Sequence, residues 1–175
     1  MSETAILGGG CFWCTESVFQ SLRGVISVEP GYSGGHVDNP SYEQVCAKTT
    51  GHIEVVRVEF DPDVIDFETV LQVFFATHDP TTLDRQGADV GPQYASAIFC
   101  QNEGQKDIAQ KVISQVEAET GERVVTRLLG AERFWPAEDY HRDYYLRNPY
   151  QGYCQAVISP KLAKFRKRYA SLLAG

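Results

Sequence analysis

The stretch Leu7-Gly8-Gly9-Gly10-Cys11-Phe12-Trp13-Cys14-Thr15-Glu16 combines three glycines, two cysteines and two large aromatic residues. A short apolar run at residues 5–7 leads into the glycines, and Val18, Phe19 and Leu22 follow at the spacing of one helical face. Apolar residues, a glycine turn and then helical periodicity predict a strand, a tight turn and a helix. The rest of the chain is interpreted around this turn.

Cys11 is predicted at or just before the first turn of that helix. Unpaired N–H groups and the positive end of the helix dipole favour an anion there, so we expect this thiol to lose its proton more readily than a free one. Gly10 would leave the sulfur open to a substrate, and Phe12 and Trp13 could form an apolar wall beside it. The alternative is a buried structural cysteine on a glycine-rich turn.

Composition indicates an ordinary globular enzyme-sized protein. The chain has 175 residues, 43% of them hydrophobic and 22% charged, which suits a single domain over residues 1–175. No apolar run approaches the roughly 18 residues of a membrane span, and residues 1–4 show no secretory signal. The net charge of −7 argues against general nucleic-acid binding. We therefore expect a monomer that binds neither membrane nor nucleic acid.

Five cysteines without a secretory signal favour a reducing, cytoplasmic location, where a disulfide would be transient and catalytic. The basic stretch at residues 161–168 is interpreted as the solvated face of a final helix over about 160–173, in preference to a binding patch.

Alternating strand and helix patterns predict the fold class. Strands are expected at residues 5–7, 25–28, 52–60, 94–100 and 123–129, and helices after Cys11, after Asp66, over 104–120, from Pro136 and over 160–173. Residues 30–46, 81–93 and 148–154 are interpreted as loops. The order favours an α+β two-layer sandwich with a mixed, largely antiparallel sheet and a loop-rich C-terminal part.

Glu54 is the carboxyl of most interest. In the strand over residues 52–60 it shares a face with Val56, Val58 and Phe60, which is the more apolar side. Burial there would raise its pKa and make it a proton donor near neutral pH. The alternative is that Glu54, near the strand end, turns into solvent.

A polarised thiol, a protonated carboxyl and nearby phenols form a coherent set for reducing an S–O bond. Tyr42 and Tyr94 lie in or beside loops rich in glycine and proline, which suits side chains aimed at a ligand. Taken singly, each tyrosine is more often a half-buried aromatic residue.

Several segments together resemble the A-type peptide methionine sulfoxide reductases. They are Gly-Cys-Phe-Trp-Cys-Thr-Glu at residues 10–16, Gly-Tyr-x-Gly-Gly at 31–35, Pro-x-Tyr at 40–42 and Pro-Ala-Glu-Asp-Tyr-His at 136–141. The resemblance extends from about Ile6 to about Tyr153. It implies reduction of methionine S-sulfoxide, free or in proteins, with recycling by thioredoxin or a similar dithiol and without metal, flavin or nucleotide.

The resemblance also implies residue roles. The matching positions supply a nucleophile (Cys11), an acid (Glu54), two donors to the sulfoxide oxygen (Tyr42, Tyr94), a supporting carboxylate (Asp89) and a methyl pocket (Phe12, Trp13). Attack by the thiolate would leave Cys11 as a sulfenic acid, which a second thiol must clear.

The resolving thiol is predicted to be Cys154, which stands in a Gly-containing stretch and matches a position used in many relatives. Cys14 is the alternative, because it is closer to Cys11 in sequence and Cys-x-x-Cys is a redox spacing. The chain departs from the family pattern here, since many relatives carry glycine at the position of Cys14. Cys46 and Cys100 are expected to be inert. A further departure is Ala95, where relatives often have arginine, and this affects the expected contacts at the pocket rim.

Other classes of function remain open from the residues alone. A general thiol–disulfide oxidoreductase would use Cys11 and Cys14, and acyl transfer would pair a cysteine with one of four histidines. A structural zinc module lacks a second ligand pair at close spacing. A non-enzymatic peptide-binding surface at Phe12 and Trp13 would tolerate Cys11→Ser.

Overall fold

A computed structural model describes residues 2–173, and its central feature is a six-stranded sheet. The strand order is β7-β6-β1-β3-β2-β8, and all neighbours are antiparallel except β6 and β7. The sheet strands are β1 (Glu3–Gly9), β2 (Val25–Ser33), β3 (Ile53–Phe60), β6 (Ser96–Phe99), β7 (Arg127–Leu129) and β8 (Trp135–Pro136), and a small separate hairpin pairs β4 (Arg85–Gln86) with β5 (Asp89–Val90).

Helices cover one face of this sheet. They are α1 (Phe12–Gln20), α2 (Tyr42–Cys46), α3 (Phe67–Ala76), α4 (Glu103–Thr120), the short α5 (Tyr144–Arg147) and α6 (Ser159–Arg168). The Asp66 side chain caps α3, and Gly121 ends α4 in the left-handed conformation, as the sequence predicts. The α+β sandwich with a mixed, largely antiparallel sheet is confirmed.

The central strand β3 explains the two layers. Val56, Val58 and Phe60 pack with α1, α3, α4 and α6 in the main core, while Ile53 and Val55 join a smaller cluster on the opposite face. Because side chains alternate across a strand, a single apolar sequence supplies both faces. Glu54 lies on the helical side by the same parity.

Two segments predicted as loop are regular structure. Residues 30–33 continue β2 because they pair with β3 through Tyr32 opposite Glu54, and this pairing outweighs the turn-like composition. Gly31 is needed there, since an added Cβ would lie 2.4 Å from the Phe134 ring. Residues 42–46 form α2 because Ser41 and Gln44 make a reciprocal capping box.

The C-terminal third differs most from the expectation. Pro136 does not begin a helix, because it pairs with Gly31 in β8 and is followed by a 3-10 turn at Asp139–His141. Cys154 begins a π-helical segment, Cys154–Ile158, that continues into α6, so it is not in a loop. The helix ends at Arg168 rather than 173, and a 3-10 turn at Ala170–Leu172 follows.

No helix within residues 2–173 is long and apolar enough to cross a membrane.

Leu71 tests whether the layer between α3 and the sheet carries stability. Its side chain is fully buried in the main core. We expect Leu71→Ala to lower the free energy of unfolding by about 2–5 kcal/mol, because it removes buried apolar contacts and leaves a cavity. Urea unfolding measures the change, and Val64→Ala is the control because Val64 is 52% exposed. Equal losses in the two variants would contradict this assignment of the core.

Candidate active site

Cys11 is the N-cap residue of α1, directly after the glycine turn that ends β1. Gly10 adopts a φ of +94°, a conformation that glycine takes without strain, and an added Cβ would lie 2.6 Å from the Gln86 side chain. The side chain of Cys11 is 8% exposed and packs in a cluster with Cys14, Cys154 and Ile158. Three sulfur atoms therefore lie in one cluster, two of them from this turn and the third from the C-terminal segment.

The protonation of Cys11 differs from the sequence expectation. Burial raises its pKa well above the ordinary thiol value, and the hydrogen bond to Cys14 and the negative charge of Glu54 act in the same direction. The backbone N–H of Trp13 lowers the pKa, as expected at a helix N-terminus, but burial outweighs it. The prediction of a readily ionised Cys11 is wrong for this reduced state.

Cys14 holds the negative charge of the pair. Its pKa is lowered to about 7, first by the hydrogen bond from Cys11 and then by the positive charge of Lys161 and a hydrogen bond from Tyr153. The two thiols thus titrate as a pair that carries one proton near neutral pH, with the negative charge mainly on Cys14. Sequence reasoning placed this charge on the wrong member of the pair.

Glu54 lies beside the same turn. Its carboxyl is 1% exposed and accepts the backbone N–H of Phe12 at Oε1 over 3.1 Å, while Oε2 has no partner among the described residues. Burial raises the pKa of Glu54 to about 8, so the carboxyl holds a proton at neutral pH. The carboxyl turns into the protein rather than into solvent.

Aromatic rings surround the turn on the side of Trp13. Phe12 lies 6.1 Å and Trp13 lies 6.3 Å from Tyr42, measured between ring centroids. Tyr144 stacks on the Trp13 indole at 3.8 Å, so one face of the indole is covered. His141 accepts the indole N–H at Nδ1 over 3.0 Å and is itself fully buried. The wall predicted from Phe12 and Trp13 is therefore part of a larger aromatic group.

Both predicted phenols face this region. Tyr42 is the first residue of α2, and Tyr94 ends the 3-10 turn Pro92–Tyr94 and packs against the sulfur cluster. Burial, followed by the nearby charge of Glu54, raises the pKa of each tyrosine far above neutrality. Both hydroxyls consequently retain their protons and can donate.

Asp89 contacts the sulfur cluster through a tyrosine. The Tyr153 hydroxyl donates to Asp89 Oδ2 over 2.7 Å. The hydroxyl oxygen of Tyr153 also lies 3.7 Å from Cys14 Sγ. The hydroxyl has one proton, which can be directed to Asp89 or to the Cys14 sulfur. Asp89 therefore acts through Tyr153 on Cys14.

Comparison with known proteins now identifies the family. A family model described as peptide methionine sulfoxide reductase matches residues 3–173. The chain belongs to the peptide methionine sulfoxide reductase family.

Individual relatives agree over nearly the full length. The chain is 59% identical over 173 residues to peptide methionine sulfoxide reductase MsrA of Chromobacterium violaceum, covering 98% of each chain. It is 56% identical over 167 residues to the MsrA of Saccharolobus solfataricus, covering 95% of this chain and 94% of that protein. This protein is accordingly an oxidoreductase that reduces methionine sulfoxide.

Solved structures share the fold. The reduced form of Mxr1 from Saccharomyces cerevisiae matches with a TM-score of 0.78 and 32% identity, covering 87% of this chain and 88% of that one. Methionine sulfoxide reductase A of Corynebacterium diphtheriae matches with a TM-score of 0.76 and 32% identity, covering 85% and 76%.

Sequence reasoning missed one residue that organises this reductase site. The Glu138 carboxylate accepts the Tyr32 hydroxyl at 3.0 Å and the Tyr42 backbone N–H at 2.9 Å, so it fixes the start of α2. Glu138 and His141 both belong to the Pro-Ala-Glu-Asp-Tyr-His segment, whose resemblance was noted but whose contacts are not local. Only a non-local pairing could have revealed them.

The other residues considered from the sequence lie outside the group of side chains around Cys11. Ala95 is buried with Ile6 and Phe99 on the opposite face of the sheet, so its side chain does not reach the pocket rim. His78 is hydrogen-bonded to Phe74 and Ser96, and His52 to Gly35 and Val37, so the ring nitrogens of both histidines are paired away from the sulfur atoms. Residues 2–173 contain no cluster of potential metal ligands.

The shared proton of Cys11 and Cys14 can be measured by thiolate absorbance in the reduced enzyme. We expect one thiolate to appear with a midpoint near pH 7, because the Cys14 pKa is about 7, and to disappear with rising acidity. Cys14→Ser should remove this transition, because the thiol that titrates near pH 7 is lost and the pKa of the remaining Cys11 is well above the ordinary value. Cys46→Ser is the control. A transition that persists in Cys14→Ser would contradict the assignment.

Proposed function

We propose that this protein reduces methionine S-sulfoxide, free or in proteins, by attack of Cys11 on the sulfoxide sulfur with Glu54 as the acid. The observation that carries the proposal is the hydrogen bond between the Phe12 N–H and Glu54. It joins the residue after the nucleophile to a buried carboxyl that holds a proton at neutral pH. A nucleophile and an acid at one turn are what reduction of an S–O bond requires.

The attacking charge comes from the Cys11–Cys14 pair. When the shared proton moves toward Cys14, Cys11 becomes the thiolate and can attack. Its sulfur bonds to the substrate sulfur while Glu54 protonates the sulfoxide oxygen. The hydroxyl then transfers to the Cys11 sulfur as the bond between the two sulfurs breaks, so methionine leaves and Cys11 becomes the sulfenic acid. The proton taken from Cys11 returns to Glu54 through the solvent, so the step needs no other reagent.

Tyr42 and Tyr94 are proposed as donors to the sulfoxide oxygen. Their hydroxyls hold protons because burial raises both pKa values. A donor aimed at an oxygen that gains negative charge stabilises the transition state. Phe12 and Trp13 form the apolar wall for the methyl group, and Tyr144 must turn away from the indole before the methyl group can contact it.

Cys154 is proposed as the thiol that ends in the disulfide with Cys11. It is fully buried in the sulfur cluster with Cys11 and Cys14. Asp89 supports this chemistry by orienting the Tyr153 hydroxyl toward Cys14. Thioredoxin or a similar dithiol then reopens the disulfide by thiol exchange. We further propose that the enzyme acts in the cytoplasm. We also propose that it is a monomer and that the chain forms a single domain.

A single-turnover reaction tests the proposal. Fully reduced enzyme mixed with methionine sulfoxide, without external reductant, should release one methionine per enzyme and form a Cys11–Cys154 disulfide, found by peptide mapping. Cys11→Ser should release none, because the nucleophile is lost, and Cys100→Ser is the matched control. Methionine release by Cys11→Ser would overturn the proposal, and no release by the wild type would favour a thiol–disulfide oxidoreductase.

The role of Glu54 predicts a pH dependence of the same burst. The rate should fall as the pH rises through about 8, because the acid form of Glu54 is lost above its pKa. Glu54→Gln should slow the burst by about 10²- to 10⁴-fold, the usual contribution of a general acid, and lose the alkaline decline. Glu59→Gln on the same strand is the control. An unchanged burst rate in Glu54→Gln would refute the acid role.

A further inference from the structure

We propose that Cys14 carries the disulfide transiently between Cys11 and Cys154, and that Lys161 is the positioning residue that holds its thiolate. This inference rests on the proposed function, because it concerns how the Cys11 sulfenic acid is cleared. It assigns a role to a half-buried cation on α6 and to a thiol that the reduction step alone does not require.

The first support is the position of Cys14 within the sulfur cluster. Cys11 is the N-cap of α1 and Cys14 is the third residue of the helix, and the two side chains pack together. Cys14 packs against both Cys11 and Cys154 in the buried sulfur cluster. Burial, followed by the negative charge of Cys14, raises the pKa of Cys154. Cys14 therefore interacts with both thiols that the disulfide must join.

The second support is a cavity that brings a lysine to Cys14. A cavity of about 710 Å³ is lined by Cys14, Tyr153, Asp89 and Lys161 among others, and a small adjoining cavity is lined by Cys14, His78 and Lys161. Lys161 is half-buried and takes part in no ion pair among residues 2–173. No carboxylate pairs with the Lys161 ammonium among these residues, so its positive charge can stabilise a thiolate on Cys14.

The charge balance around Cys14 favours an anion on this atom. The positive charge of Lys161 and the hydrogen bonds from Cys11 and Tyr153 lower the Cys14 pKa, while burial and the negative charge of Asp89 oppose them. The titratable groups facing the cluster from the packed elements are Cys11 on α1, Glu54 on β3, His78 after α3, Asp89 on β5, Tyr153 and Cys154 before α6, and Lys161 on α6.

The proposed steps balance without an added reagent. The Cys14 thiol attacks the sulfur of Cys11 sulfenic acid, forms the Cys11–Cys14 disulfide, and its proton leaves with the hydroxyl as water. The Cys154 thiol then attacks the Cys11 sulfur, forms the Cys11–Cys154 disulfide, and returns its proton to the released Cys14. Two thiols are oxidised and one oxygen atom leaves as water.

The direction of the second step follows from thiol acidity. In thiol–disulfide exchange the thiol with the lower pKa leaves faster. Cys14 has a lowered pKa and Cys11 a raised one, so attack on the Cys11 sulfur with release of Cys14 is the faster of the two possibilities. Lys161 assists twice, since it stabilises Cys14 both as the attacking and as the leaving thiolate.

Rapid quenching of a single turnover tests the carrier role. Reduced Cys154→Ser enzyme should release one methionine and accumulate the Cys11–Cys14 disulfide, which peptide mapping after alkylation identifies. In the same background, Lys161→Met should slow formation of this disulfide at pH 7 by about two- to fivefold, because loss of the positive charge raises the Cys14 pKa and lowers the thiolate fraction. The pH midpoint of this step should rise with it.

Two variants give the controls. Lys164→Met removes a lysine of the same helix that lines the same cavity and should leave disulfide formation unchanged, and Lys161→Arg should restore most of the rate. A dimedone-reactive sulfenic acid in Cys154→Ser with no Cys11–Cys14 disulfide would overturn the carrier role. Identical pH profiles for Lys161→Met and Lys164→Met would overturn the role of Lys161. Absence of methionine release would instead refute the proposed function itself.

Discussion

The hydrogen bond from the Phe12 N–H to Glu54 determines how the site is built. It connects the first turn of α1 to the start of β3, and these elements belong to the two layers of the fold. A buried carboxyl is costly unless it is hydrogen-bonded, and it avoids part of that cost by keeping its proton. The bond therefore fixes the position of Glu54 and leaves its second oxygen free for the reaction. An N-terminal amide that could have stabilised a thiolate is used to hold the acid.

The positions of Cys11 and Glu54, the proposed nucleophile and acid, followed from local sequence patterns, whereas the acidity of Cys11 did not. Alternation along residues 52–60 placed Glu54 on the buried side, and the glycines before Cys11 located the turn. Both features depend on near neighbours in the chain. The pKa of Cys11 depends on burial by a segment some 140 residues away, which includes Cys154 and Tyr153. A helix N-terminus favours a thiolate, but its effect is smaller than that of losing water.

The C-terminal third shows the same limit for secondary structure. Pro136 matches the first residue of a helix by composition, yet it pairs with Gly31, more than 100 residues earlier. That pairing brings Glu138 to Tyr32 and Tyr42, and His141 to the indole of Trp13. The prediction for this segment failed because its conformation is set by β2, while its motif still pointed to the right family. Motif and conformation are separate kinds of information here.

The two thiols of the turn explain why a raised pKa at Cys11 is compatible with catalysis. Attack on a sulfoxide needs the charge on Cys11, and removal of the sulfenic acid needs it on another sulfur. A pair of adjacent thiols that holds one proton can satisfy both demands, because in the proposed reaction the proton moves to the sulfur that is not reacting. A permanently ionised Cys11 would attack readily but would give Cys14 no share of the charge. With Lys161, Tyr153 and Asp89 arranged around Cys14, the resting charge lies on the thiol proposed to act second. Cys11, the proposed nucleophile, keeps its proton until that proton moves to Cys14.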